Sequence, residues 1–232
     1  MQLKITSIPH WLRIPAICVL CNHYYHGDFA VCSPCYQLFG KITNPCIICS
    51  MPLASGQSLQ CGNCIRQKPA FDRIYTNYLF EDPLRTLVHW YKYQQSLFLR
   101  SLLIQLMLDA LPVGIYQPDC LLPVPMHPER LRQRGFNHTV ELARLLARKL
   151  KIKFDLALCE KTVNTAAQVE LSGEQRKNNL KRAFKVRVND YRHVTIIDDL
   201  ITTGSTANEL AAALKQSGIE RVDVWCLART GL

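Results

Sequence analysis

The stretch from Val194 to Thr206, VTIIDDLITTGST, sets two carboxylates and then a cluster of hydroxyls around a glycine behind a β-branched run. Val194 to Ile197 has the character of a parallel strand buried on both faces, and that strand is expected to stop where Asp198 and Asp199 begin. Thr202, Thr203, Gly204, Ser205 and Thr206 then offer hydroxyl donors and a flexible backbone whose N–H groups can wrap one phosphate at a helix N-terminus. Carboxylates repel a phosphate, so Asp198 and Asp199 suit ribose hydroxyls, or waters on a magnesium ion, one sugar away. The chemistry this predicts is a grip on a ribose 5-phosphate.

Strand, acid pair, TTGST and helix occur here in uninterrupted order, and in this arrangement the stretch resembles the binding signature of type I phosphoribosyltransferases, which use phosphoribosyl pyrophosphate (PRPP). A second segment should face it. Cys120 to Val124 reads as a strand, and its exit, PVPMHPERLRQRGFN, carries Arg130, Arg132 and Arg134. Ligands of open parallel sheets bind beyond the carboxyl ends of the strands, so this exit, read as a loop, is expected to face the acid pair across a crevice. Guanidinium groups there suit a pyrophosphate.

The elements that must position these residues alternate as α/β from about Phe71 onward. Strands are expected at Ile74 to Phe80, Cys120 to Val124, Phe154 to Cys159, Arg182 to Val188 and Arg221 to Leu227. Helices are expected at Pro83 to Tyr93, with His89 and Lys92 on its polar surface, at Leu97 to Leu111, at about Asn137 to Lys151, and at Thr206 to Ser217, ended by Gly218. The polar segment from Thr162 to Asn179 has no helical period, and a loop that long in a compact domain is usually functional or disordered. Cys120, Cys159 and Cys226 fall in strands, as buried small hydrophobes do. The fold class is thus α/β, a parallel sheet flanked by helices over residues 71–232, behind a cysteine-rich module over residues 1–70.

That module holds Cys18/Cys21, Cys32/Cys35, Cys46/Cys49 and Cys61/Cys64, eight thiolates in C-x2-C pairs. They suffice for two tetrahedral zinc sites with no histidine, leaving His23 and His26 as surface residues. With too little apolar material for a core, the module must be held together by its metal. Cys18-Val-Leu-Cys21 and Cys46-Ile-Ile-Cys49 look like knuckle turns, and Cys32-Ser-Pro-Cys35 and Cys61-Gly-Asn-Cys64 like helix starts. Two similar halves favour sequential sites, 18/21/32/35 and 46/49/61/64, over an interleaved pairing. Tyr24, Tyr25, Phe29, Tyr36 and Phe39 suit either stacking on bases or capping the metal core.

The 232 residues are 48% hydrophobic with a formal charge of +10. The positive charge is concentrated in residues 126–193, sixteen Lys/Arg against seven Asp/Glu, and in residues 1–70, five against one. Two basic segments favour an anionic partner such as nucleic acid. The longest apolar run is broken by Arg100, Gln105 and Asp109, so no membrane span is expected. The Ile14 to Cys21 stretch lacks a small-residue cleavage site, and paired cysteines at metal spacing suit a reducing compartment, so a cytoplasmic location is expected.

Four features coincide: the C-x2-C pairs, Pro-Val-Pro followed by Arg-x-Arg-Gly-Phe-Asn, the Gln168…Arg176…Asn178-Asn179 stretch, and IIDDLITTGST. Together they resemble the ComF (ComFC, or GntX-type) family of competence-associated proteins over nearly the whole chain. The resemblance implies a double zinc module joined to a type I phosphoribosyltransferase-like domain, linked to DNA uptake and natural transformation through single-stranded DNA. By position it implies that Asp198 and Asp199 hold the ribose of PRPP with Mg²⁺, Thr202 to Thr206 its 5-phosphate, and Val124, Pro125 and the following residues the pyrophosphate. Gln168 and Arg176 would belong to a mobile loop over the site. His138 departs from the pattern, standing where Gln is expected. Binding of DNA and a phosphorylated ribose is one functional reading, and transfer of phosphoribose to an acceptor the other. No residue is nominated as a general base. A third reading is a scaffold that docks to other DNA-uptake proteins through the zinc module.

Overall fold

In this computed structural model residues 15–54, 58–94, 96–111, 117–135, 137–162 and 183–231 are described. A parallel sheet runs through the middle in the order β3 (Arg73–Tyr75), β10 (Arg221–Arg229), β9 (His193–Ile201), β5 (Cys120–Pro123), β6 (Lys153–Phe154), with β4 (Tyr78–Leu79) also paired to β10. The expected Ile74–Phe80 strand is thus two short pieces, both lying along β10. The central strands carry the apolar runs and are buried on both faces, as a parallel sheet demands.

Through the middle of the sheet, side chains alternate between the faces. Leu121, Ile197 and Trp225 point to one side, where they meet α3 (Leu84–Tyr93), α4 (Arg100–Leu108) and α6 (His138–Leu150). Leu122, Ile196 and Val224 point to the other, against α7 (Ser205–Gln216). Trp225 lies in the first of these cores, where its Nε1 donates to the carbonyl of Met107 at 2.9 Å, satisfying the one polar atom it buries. The predicted helix beginning at Leu97 opens with a 3-10 turn, Leu97–Leu99, and becomes α-helical from Arg100.

Two expectations are corrected. The proposed strand from Phe154 to Cys159 is split: Lys153–Phe154 joins the main sheet, while Cys159–Lys161 (β7) forms a separate antiparallel pair with β8 (Phe184–Val186). Asp155 causes the break, its carboxylate accepting from the backbone N–H groups of Ala157 and Leu158 and turning the chain out of the sheet. The exit of β5 is not a loop throughout. Pro128–Arg134 forms α5, with His127 as N-cap, Pro128 at its first position and Gly135 left-handed at φ 79° past its end.

The cysteine-rich module shares the cores of the sheet. Its first knuckle is flanked by a short antiparallel pair, β1 (Ala16–Ile17) and β2 (Tyr24–Tyr25). The helix starts form as expected, α1 (Ser33–Tyr36) and α2 (Gly62–Arg66). Cys18, Cys32, Cys35 and Phe39 join the core of α3, α4 and α6, whereas Cys46, Cys49 and Cys64 join that of α7. The first half is pinned by Asp109, whose carboxylate accepts from the hydroxyls of Tyr36 (2.6 Å) and Tyr78 (2.8 Å). Backbone bonds hold the second half, Ile74 N–H to the carbonyl of Ile48 at 2.7 Å among them.

Candidate functional site

Each cysteine quartet is sequential. The sulfurs of Cys18, Cys21, Cys32 and Cys35 lie within 4.8 Å of one another, as do those of Cys46, Cys49, Cys61 and Cys64. A tetrahedral zinc ion with bonds of about 2.3 Å requires sulfurs about 3.8 Å apart. Cys21 and Cys32 stand at 3.7 Å and Cys49 and Cys61 at 3.6 Å, and all eight thiols are free of disulfides. The N–H of Cys32 donates to the sulfur of Cys18, and that of Cys61 to the sulfur of Cys46, bonds that favour thiolate. Each quartet can therefore hold one zinc ion. His23 and His26 are exposed, outside both quartets. Phe39 is buried and Phe29 and Tyr36 half-buried against the same core, whereas Tyr24 is exposed.

At the carboxyl end of the sheet, β9 does not stop at the acids but runs through them to Ile201, with Asp198 in register with Cys226 on β10. The two carboxylates consequently face opposite sides of the strand and meet different neighbours. Asp199, on the side of α3 and α6, is 7% exposed and takes Lys92 Nζ at 2.8 Å and His138 Nε2 at 2.5 Å on the same oxygen, Oδ2. Burial opposes its charge, but the His138 hydrogen bond and the Lys92 ammonium outweigh burial and hold the carboxyl below its usual range. Asp198 is half-buried and accepts the Asp199 N–H at 2.8 Å. Burial, and then the charge of Asp199, push its carboxyl up to about 7.

Sequence reasoning placed Lys92 on the polar surface of its helix, and that placement is corrected. Its side chain is 15% exposed and belongs to the site. No local signal marks it, because its partner lies more than a hundred residues away. His138, which departs from the family pattern, proves to be the other partner of Asp199, and Tyr91 beside Lys92 packs edge-on to its ring.

After β9 the chain turns through Thr202 and Thr203 to Gly204, the N-cap of α7, whose φ of 80° is a left-handed conformation that glycine adopts without strain. Thr203 Oγ1 lies 2.8 Å from Ser205 Oγ and accepts the Ser205 N–H, shaping the turn. Thr202, Thr203, Ser205 and Thr206 are exposed around a hollow of about 50 Å³ that also reaches Asp198. Next to it a cleft of about 250 Å³ is lined by Lys92, Val124, Pro125, His127, Lys161, Asp198, Asp199 and Thr206. Thr139 and Asn137 hold the exit of β5 against this cleft through the Val124 carbonyl.

The structure therefore gathers Val124, Pro125, Asp198, Asp199 and Thr202 to Thr206 at one place. Arg132 is exposed on α5 and does not line the cleft. The side chains of Arg130 and Arg134, and Gln168 and Arg176 altogether, lie outside the described residues. Among the described residues the cations lining the cleft are Lys92 and Lys161, with His127 and His138 beside them.

An open parallel sheet flanked by helices, with an acid pair and a hydroxyl-rich turn at the end of a central strand and two four-cysteine clusters beside it, is the α/β architecture expected from the sequence. No family model matches the chain. It is 34% identical over 226 residues to the DNA utilization protein YhgH of Escherichia coli K12, covering 94% of this chain and 99% of that protein. It is 32% identical over 222 residues to competence protein F of Haemophilus influenzae Rd, covering 91% and 96%, and 23% identical to competence protein ComFC of Streptococcus pneumoniae R6, covering 88% and 90%. The chain belongs to this ComF family. Among solved structures, the glutamine PRPP amidotransferase of B. subtilis matches 55% of the chain at 18% identity with a TM-score of 0.39, the chain spanning about a quarter (26%) of its length. No helix among the described residues is long and apolar enough to cross a membrane.

Proposed function

We propose that this protein acts in DNA uptake and natural transformation, binding single-stranded DNA together with PRPP, or a nucleotide 5-phosphate, and Mg²⁺. The names of its relatives, DNA utilization protein and competence protein, support the first half. One observation carries the second: the hydroxyl-lined hollow and the acid-lined cleft share Asp198 and Thr206, so a phosphate in the hollow puts its sugar at the acids. In this reading the 202–206 turn takes the 5-phosphate through backbone N–H groups at the head of α7. Asp198, the carboxylate not tied to Lys92, takes ribose hydroxyls or magnesium-bound water. Lys92 and Lys161 set a positive field where a pyrophosphate would sit, and Val124 and Pro125 supply the backbone wall. Mg²⁺, when bound with PRPP, would offset the pyrophosphate charge. The zinc ions stabilise the module, and the basic segments attract the DNA. The protein works in the cytoplasm on this reading.

The test is calorimetric titration of PRPP with and without Mg²⁺. At pH 8, above the raised Asp198 titration, binding should depend on magnesium and weaken at least about tenfold in Asp198→Asn, since losing a charged hydrogen-bond partner costs over roughly 1.4 kcal/mol. Equal affinity in both proteins would remove the pocket assignment. Labelled oligonucleotide should bind with an affinity that falls steeply with salt.

A further inference from the structure

The 202–206 turn has a second flank. Thr203, Gly204 and Ser205, which line the hollow, also form with Asn208 one wall of a separate cleft of about 350 Å³. The other wall is the second cysteine quartet with α2 and the residues after it. Arg66 and Lys68 stand exposed at its mouth, and Phe71 and Arg229 are buried at its base. The two walls are tied together by the N–H of Ala70, which donates to Asn208 Oδ1 at 2.7 Å.

Among the described residues, three cations and no carboxylate line this cleft. Arg229 is 3% exposed, its Nη1 donates to the carbonyl of Cys49 at 2.8 Å, and its Nε has no hydrogen-bond partner among the described residues. A buried guanidinium donor left unpaired is costly, and an acceptor entering the cleft would relieve that cost. Strand register fixes the position, since Arg229 is the last residue of β10 and lies opposite Ile201, just before the turn. Zinc bound to four thiolates leaves a formal charge of −2 on one wall, and the three cations exceed it.

We propose that this cleft binds a backbone phosphate of single-stranded nucleic acid, with Arg229 as the buried anchor and Arg66 and Lys68 as the outer contacts. This rests on the reading that the protein binds single-stranded DNA, and it locates that binding beside the turn that takes the sugar phosphate. Strand and phosphorylated ribose would then contact the same three residues, Thr203 to Ser205.

The experiment uses the full-length, zinc-loaded protein and a fluorescent oligothymidylate, with anisotropy recorded over a range of salt. Arg66→Ala/Lys68→Ala changes only exposed side chains. It should bind the strand about tenfold more weakly, with the salt slope reduced by roughly 1.4, as two lost contacts to a single strand predict. Its affinity for PRPP should be unchanged. Arg148→Ala/Lys149→Ala, equal in charge and exposed on α6, should bind the strand more tightly than the cleft variant does. Arg229→Met with unaltered zinc content should also weaken the strand. If both double variants weaken binding equally, or neither does, while the wild type binds, the cleft assignment falls and the DNA-binding reading stands. Displacement by inorganic phosphate as efficient as by unlabelled strand would make free phosphate the occupant and overturn the proposal. A wild type that binds no strand even at low salt overturns both.

Discussion

Replacing Lys92 with methionine keeps the length of the side chain and removes its charge from Asp199. The Nζ lies 2.8 Å from Oδ2, with side chains 15% and 9% exposed, so both groups are largely desolvated. Removing one partner of a buried pair costs about 3–5 kcal/mol when the other is stranded. Here His138 remains at 2.5 Å on the same oxygen, which lowers the expected loss to about 2 kcal/mol. A double-mutant cycle with Asp199→Asn separates the pair from the packing of the lysine stem. Urea unfolding at neutral pH should show the double variant about 2 kcal/mol more stable than the two single effects summed. The sign with pH is fixed by the depressed carboxyl of Asp199. Its stabilisation is complete above the unfolded value of about 4 and is lost as pH falls toward the lower folded value. Effects that add within about 0.5 kcal/mol would show that Lys92 and Asp199 do not interact, and the description of the site would be wrong.

Metal analysis of protein purified under reducing conditions should give two zinc ions per chain, and fewer than about one would reject the assignment of the cysteine quartets. Cys46→Ser should lower the melting temperature by about 8 °C or more, the shift expected from roughly 3 kcal/mol in a chain of this size. Because Cys46 shares the core of α7, that loss should appear in the main unfolding transition and not in a separate one. Asp198→Asn should gain on the wild type by about 2 kcal/mol between pH 5 and pH 8. The folded wild type keeps a proton on Asp198 up to about pH 7, which the unfolded chain releases near pH 4. Its stability therefore falls as pH rises through that window while the amide stays neutral, and a pH-independent difference would contradict the environment assigned to Asp198.

The chemistry-bearing residues were legible because their signals are local. C-x2-C spacing permits metal ligation whatever surrounds it, and a β-branched run followed by acids, hydroxyls and glycine specifies strand, turn and helix start within thirteen residues. Even the sequential pairing of the quartets could be favoured from the likeness of the two halves. Element ends were less legible. The strand at Val194 runs on through Asp198 and Asp199 because pairing with β10 outweighs the weak strand preference of aspartate. The segment after Phe154 leaves the sheet because Asp155 turns it.

What the sequence by itself determined is the inventory: eight thiols at metal-ligand spacing, an acid pair, a hydroxyl-rich turn, basic segments and an α/β order. Tertiary structure alone decided how the two acids differ. Adjacent residues on a strand face opposite ways, so Asp199 meets Lys92 and His138 from α3 and α6, whereas Asp198 is left beside the open hollow. It also decided that the second cysteine quartet and Arg229 enclose a cleft beside the hydroxyl-rich turn. Pairings between residues far apart in sequence leave no periodic trace in the chain, because they are fixed by strand order and helix packing and not by neighbours in sequence.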